Sequence, residues 1–126
     1  MMERTDISSQ DFVQAVERVL SEWRHSKDEL DIHFQNRDSD KALPFMKRAI
    51  DLFEQFLISS NSLSPDKYCI KDCKIKPVNV EERLDFIVSR PTLFHSYKQL
   101  AELFNEQEKL FAKQTILNRS KNKRPD

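Results

Sequence analysis

The sequence predicts an all-α fold: a helical bundle or irregular array of four main helices plus one or two short ones. Three observations carry that reading. The chain has no glycine in 126 residues. Apolar residues recur every three or four positions in four separate segments. Charged residues make up 33% against 38% hydrophobic, which suits helices with one oily stripe and a solvated face.

The missing glycine excludes as much as it predicts. Average usage is about 7%. Tight primed hairpin turns need glycine or asparagine at positive φ, so an all-β fold is disfavoured. Walker loops, dinucleotide fingerprints and nucleophile elbows let backbone approach phosphate or turn sharply, and they need glycine too. None can be built here.

The elements follow in order. Residues 1–8 read as a frayed N-terminus, 9–118 as one helical domain, and 119–126 as a charged, disordered tail. Ser8 or Ser9 caps a first helix whose stripe is Phe12, Val16, Val19 and Trp23, widened by Val13 and Leu20. The pattern continues to Leu30 and Phe34, with a break expected near Ser26. Asn36–Asp40 is rich in capping residues and reads as a turn. A second helix spans about 39–59, with Met46, Ala49, Ile50, Phe53, Phe56 and Leu57 inward. Pro44 is expected near its start, where a missing N–H costs little.

Residues 59–65 form a Ser/Asn linker, and 66–76 are ambiguous. Tyr68, Ile70 and Ile75 fit a short helix or an extended piece. Asn79 with Glu82 has capping spacing before Val80, Leu84 and Ile87. Pro91 ends that third helix. Thr92 is the expected cap of a last helix with Leu93, Tyr97, Leu100, Phe104 and Phe111 on one stripe, reaching about Asn118. Amphipathic helices of this kind bury their stripes against one another.

Charge is balanced overall but uneven. Residues 1–40 carry ten acids and five bases, and the rest carries eleven acids and sixteen bases. The halves can pair with each other, or the basic half can meet an anionic partner. Two cysteines, Cys69 and Cys73, make no disulfide framework. No basic-then-apolar leader and no membrane-length apolar run is present, so the expected location is cytoplasmic, with no membrane partner.

Metal and catalytic chemistry find little support. Glu22 and His25 have the Glu-x-x-His spacing of di-iron bundles, but the second pair is missing and both lie off the stripe. Cys69 and Cys73 could offer two zinc ligands without recognisable others, and buried free thiols are the simpler account. His95 and Ser96 diverge by about 100° on a helix and make no dyad. No catalytic residue, metal or cofactor is assigned.

The more suggestive group is basic. Lys67, Lys71, Lys74 and Lys76 face one acid, Asp72, and Arg83, Arg90, His95 and Lys98 follow. His95 and Lys98 sit near the start of the last helix, where cations oppose the dipole. With Arg90 and free N–H groups they could hold phosphate or a partner's carboxylate. A solvated basic face paired to Glu81, Asp85 or Glu102 is the simpler account. The candidate anion- or partner-binding set is therefore Lys74, Lys76, Arg83, Arg90, His95 and Lys98.

Residues Lys76-Pro77-Val78-Asn79-Val80-Glu81-Glu82-Arg83-Leu84, then Arg90-Pro91, His95-Ser96-Tyr97-Lys98-Gln99-Leu100 and Leu103-Phe104, resemble the YpoC-like family of bacilli. The resemblance implies a small helical protein with no assigned active site. The family's genes neighbour replication, repair and cell-wall genes, which makes a nucleic-acid-linked role conceivable.

The function expected is a protein–protein interaction or regulatory module without catalysis, its partner another protein, with oligomeric state open. An uncovered apolar patch, around Tyr68 and Phe86, would mark it. The alternative is a weak nucleic-acid or phosphate binder on the basic face at 74–98. A pI near 6.8 argues against a dedicated DNA-binding domain.

Overall fold

Four helices run alternately up and down in the computed structural model, which describes residues 9–67 and 69–122. They are α1 (Ser9–Gln35), α2 (Ser39–Ser60), α3 (Val80–Ser89) and α4 (Phe94–Asn122), with short 3₁₀ turns at Pro65–Lys67 and Ile70–Asp72 before α3. No strand occurs among the described residues, so the chain is all-α.

The apolar stripes meet where the sequence places them. Val16, Val19, Trp23 and Leu30 of α1 are buried, as are Met46, Ala49, Phe53, Phe56 and Leu57 of α2. Leu84 and Ile87 of α3 join Tyr97, Leu100 and Phe104 of α4. Phe104 is the hub. Trp23 stacks on it with ring centroids 4.0 Å apart, and Phe53 meets it edge-on at 5.2 Å.

Several expectations are corrected. α1 does not break near Ser26, which lies buried on the inward stripe between Trp23 and Leu30, where a small side chain fits. Pro44 is the sixth residue of α2, beyond the four N–H groups that have no intrahelical partner. It therefore removes one helical bond, and its exposed position leaves the facing carbonyl to water. Leu93 is 42% exposed, because α4 starts one residue later. Its carbonyl accepts the first helical bond from Tyr97 at 3.2 Å, so Thr92 stands outside the cap position. Residues 119–122 continue α4 rather than belonging to a disordered tail. Residues 1–8, Tyr68 and residues 123–126 lie outside the described residues.

A chain without glycine still needs left-handed turns. Arg37, Ser62 and Asn79 take φ of 53°, 56° and 57°. Arg37 closes a Schellman motif: its N–H bonds Phe34 O, and the Asp38 N–H bonds His33 O at 2.8 Å. Ser62 repeats this after α2, with Ser62 N–H to Ser59 O and Leu63 N–H to Ile58 O. Asn79 precedes α3 as expected, but its side chain makes no cap bond. Its carbonyl begins the helix by accepting from Arg83 N–H. Asp38 does cap α2, accepting from Lys41 N–H at 3.1 Å.

Candidate interaction cleft

Two turns meet at one end of the bundle. The Schellman turn after α1 presents Arg37 and Ser39, and the short link from α3 to α4 presents Thr92, Leu93 and Phe94. α1 and α4 run antiparallel, so the last turn of the first lies beside the first turn of the second. Between them is an open cleft of about 640 Å³ lined by Asp31, Phe34, Gln35, Arg37, Ser39, Thr92 and Phe94.

Its wall is aromatic. Phe34 and Tyr97 stack almost parallel at 5.1 Å, and Phe94 meets Phe34 at a steep angle at 5.8 Å. Tyr97 is buried, but Phe94 is 56% exposed. The Lys98 ammonium stands 5.8 Å from the centre of the Phe94 ring, within cation–π range. The Tyr97 hydroxyl donates to the Asp31 carboxylate, with the Lys27 carbonyl 3.3 Å away. Burial first, and the Asp31 hydrogen bond second, push the Tyr97 phenol well above its ordinary range. The other Asp31 oxygen is 3.8 Å from Lys27, and the carboxylate is half exposed. A rim with one carboxylate and one guanidinium around exposed aromatic surface can hold an apolar side chain flanked by polar groups.

The six residues singled out in the sequence do not converge. Arg83 makes a bidentate pair with Glu106 at 3.0 and 2.6 Å and also donates to Val78 O. The Glu106 hydrogen bond leads the effects that raise Arg83, and the same bond holds Glu106 below the usual carboxylate range. Lys76 turns inward and donates to Ile70 O at 3.0 Å. Lys74 and Arg90 are exposed. The His95 ring packs edge-on against Phe86 at 5.5 Å and contacts the Gln99 amide at 3.0 Å. Thus His95 and Lys98 share the start of α4. Arg83 sits opposite Glu106, eight residues further along α4 than Lys98 and so about 12 Å away along the axis. Of the wider basic run, Lys71 is exposed.

The residues that sequence reasoning missed are Phe34 as a wall, Phe94, Arg37 and Asp31. One signal existed: Phe94 is a large apolar residue beside the expected α4 stripe that no burial demand explains. Phe86 is half buried under His95, and Tyr68 lies outside the described residues; Leu93 and Phe94 are exposed instead, as are other apolar residues such as Val78 and Ile116.

Other candidate groups are engaged elsewhere. Glu22 forms a bidentate pair with Arg48 at 2.6 and 2.9 Å, which links the acidic and basic halves. That pair crosses a second, smaller cleft lined by Val19, Gln55 and Ile58. No group of three or more His, Cys, Asp or Glu side chains that could hold a metal ion occurs among the described residues. Among them, no helix is long and apolar enough to cross a membrane.

This fold and surface define a small all-α protein with an open aromatic cleft at one end. The chain belongs to the YpoC-like protein family, whose model matches residues 13–119. It is similar to the uncharacterized protein YpoC of Bacillus subtilis (strain 168), 43% identical over 49 residues. That stretch is 39% of this chain and spans 30% of the relative's length. No solved structure matches the chain.

Proposed function

We propose that this chain is a cytosolic protein-interaction module without catalysis, and that its partner docks at the cleft between Phe34 and Phe94. The observation that carries this reading is Phe94. A phenylalanine more than half exposed, held in place by Phe34 and Tyr97, costs solubility and contributes little to the core. Aromatic surface of this kind gains free energy when a partner covers it. The partner expected is a protein segment that inserts an apolar side chain against Phe94 and meets Asp31 and Arg37 with polar groups. Two free thiols suit a reducing compartment.

The nucleic-acid reading has less support. Arg83 and Lys76 are occupied within the chain, which leaves Lys74, Arg90 and Lys98 as scattered positive charge. Such a face would bind phosphate weakly and with strong salt dependence.

A photocrosslinking amino acid placed at Gln35, on the cleft rim, tests the proposal in Bacillus subtilis cells. One protein species should be captured there, lost in the Phe94→Asp background, and not captured from Gln55 in the second cleft. Equal capture at both positions, or capture indifferent to Phe94→Asp, sinks it. Oligonucleotide binding at low salt that is lost in an Arg90→Ala/His95→Ala variant would favour the alternative.

A further inference from the structure

The strap between α2 and α3 carries both cysteines of the chain, and neither is used by the cleft. Cys69 precedes the 3₁₀ turn Ile70–Asp72 and Cys73 follows it. The turn is closed by Asp72 N–H to Cys69 O at 2.9 Å and by Cys73 N–H to Ile70 O at 3.1 Å. Cys69 is exposed, while Cys73 is buried with 4% exposure and belongs to the core cluster. The Cys73 sulfur nevertheless points back along the turn and donates to the Cys69 carbonyl at 3.8 Å. A carbonyl oxygen lies about 2.4 Å from its own Cα, so that sulfur is within about 6 Å of the Cys69 Cα. A cysteine side chain reaches about 2.8 Å from its Cα, and an S–S bond adds about 2.05 Å. A shift of about 1 Å in the turn, with rotation of Cys69, closes the remaining gap. Asn61 and Gln107 anchor the strap to the helices at Ile75, beyond Cys73, while Lys76 donates within the strap to the Ile70 carbonyl.

We infer that Cys69 and Cys73 form a reversible oxidative modification site, with Cys69 the thiol that meets a peroxide and Cys73 the thiol that resolves it. The Cys69 thiolate attacks one peroxide oxygen, the O–O bond breaks, and the departing hydroxide takes up a proton to leave as water. This makes a sulfenic acid on Cys69. The Cys73 sulfur then attacks the Cys69 sulfur, the S–O bond breaks, and hydroxide leaves as water with the Cys73 proton. The peroxide gains two electrons, and the two thiols lose one each. Burial holds the Cys73 thiol above its ordinary range, which keeps it out of the first step. Reduction by a cellular dithiol reverses the modification.

The test is the intact mass of the full chain after brief hydrogen peroxide treatment, denaturation and alkylation with N-ethylmaleimide. The expected product takes up no alkylating agent and is about 2 Da lighter than the reduced chain, the mass of two hydrogens. Dithiothreitol should restore two alkylation sites. Cys69→Ser should retain one alkylatable thiol after the same treatment, and Cys73→Ala should carry oxygen on Cys69. The inference is overturned if oxidised wild type still alkylates at Cys73, with oxygen added to Cys69 or two chains linked through it. It is equally overturned if only the urea-unfolded chain closes the bridge, because that would trace the reaction to sequence proximity rather than to the folded turn.

Discussion

The two ends of the bundle are finished in opposite ways. At the end where α2 meets the strap, side-chain amides take the place of missing secondary structure. The Asn61 amide donates to Ile75 O at 2.9 Å and accepts from Ile75 N–H at 2.9 Å, as a neighbouring strand would. Its second N–H bonds Leu57 O at 2.8 Å. Gln107, fully buried on α4, donates to Ile75 O and to the Ser60 hydroxyl, which in turn donates to Phe56 O. At the other end the Arg37 turn satisfies its own backbone, as the Ser62 turn does beside the strap, and Phe94 is left open to water. Polar groups spent on closing one end are unavailable for recognition. Apolar groups left uncovered at the other end have no structural task that explains them. That contrast, rather than the size of either cavity, directs attention to Phe94.

Breaking the polar clasp should have the largest effect. Asn61→Ala strands the N–H of Ile75 and should cost about 2 kcal/mol, since a half-buried group left without its partner is only partly hydrated. Gln107→Leu should cost less, because Ile75 O keeps its bond from Asn61 and the buried Gln107 Oε1, which has no partner among the described residues, disappears. Urea unfolding of both variants checks the order. A larger loss for Gln107→Leu would show that the clasp runs through α4 and not through Asn61.

Much of this contrast was absent from the sequence for physical reasons. The helices were legible because burial imposes a period, and Phe12 to Trp23, Met46 to Leu57 and Leu100 to Phe104 obey it. The clasp was not legible. Asn61 and Ile75 are fourteen residues apart, and nothing in a Ser/Asn-rich linker says which amide will turn inward. Gln107 falls on the α4 stripe, yet a glutamine there reads as polar. The cleft failed differently. Leu93 has the stripe spacing to Tyr97, but α4 begins after it, so the helical period does not reach Leu93, and Phe94 lies one position off the stripe. The pairing of Arg83 was not legible because ion pairing is tertiary: Arg83 and Glu106 are twenty-three residues apart, and only the fold brings them together.

A smaller effect should appear at the open end. Tyr97→Phe keeps the ring stack with Phe34 and removes only the hydrogen bond to Asp31, so a loss of about 1–2 kcal/mol is expected at neutral pH. The pH dependence sharpens the assignment. Tyr97 is raised in the folded chain above its unfolded value near 10. Its contribution is therefore complete below pH 10 and falls as pH rises beyond it, because the unfolded chain ionises there while the folded chain resists. Wild type should lose stability above pH 10 more steeply than Tyr97→Phe. Parallel alkaline curves would mean that the hydroxyl is neither buried nor held by Asp31 in the folded chain.

The smallest predicted change compares the two ends directly. Arg37 and Ser62 hold the same left-handed position in the same turn motif, one beside the cleft and one beside the strap. A non-glycine residue at that φ costs about 1–2 kcal/mol, and glycine gives back part of the gain as greater freedom in the unfolded chain. Arg37→Gly and Ser62→Gly should therefore each stabilise the protein by about 0.5 kcal/mol, read as a higher urea midpoint at unchanged slope. Equal gains would confirm that the two turns are energetically alike. Crosslinking at Gln35 then separates them. It should weaken in Arg37→Gly, where the guanidinium is lost from the rim, and remain intact in Ser62→Gly. Undiminished crosslinking in both variants would show instead that Arg37 serves the turn alone.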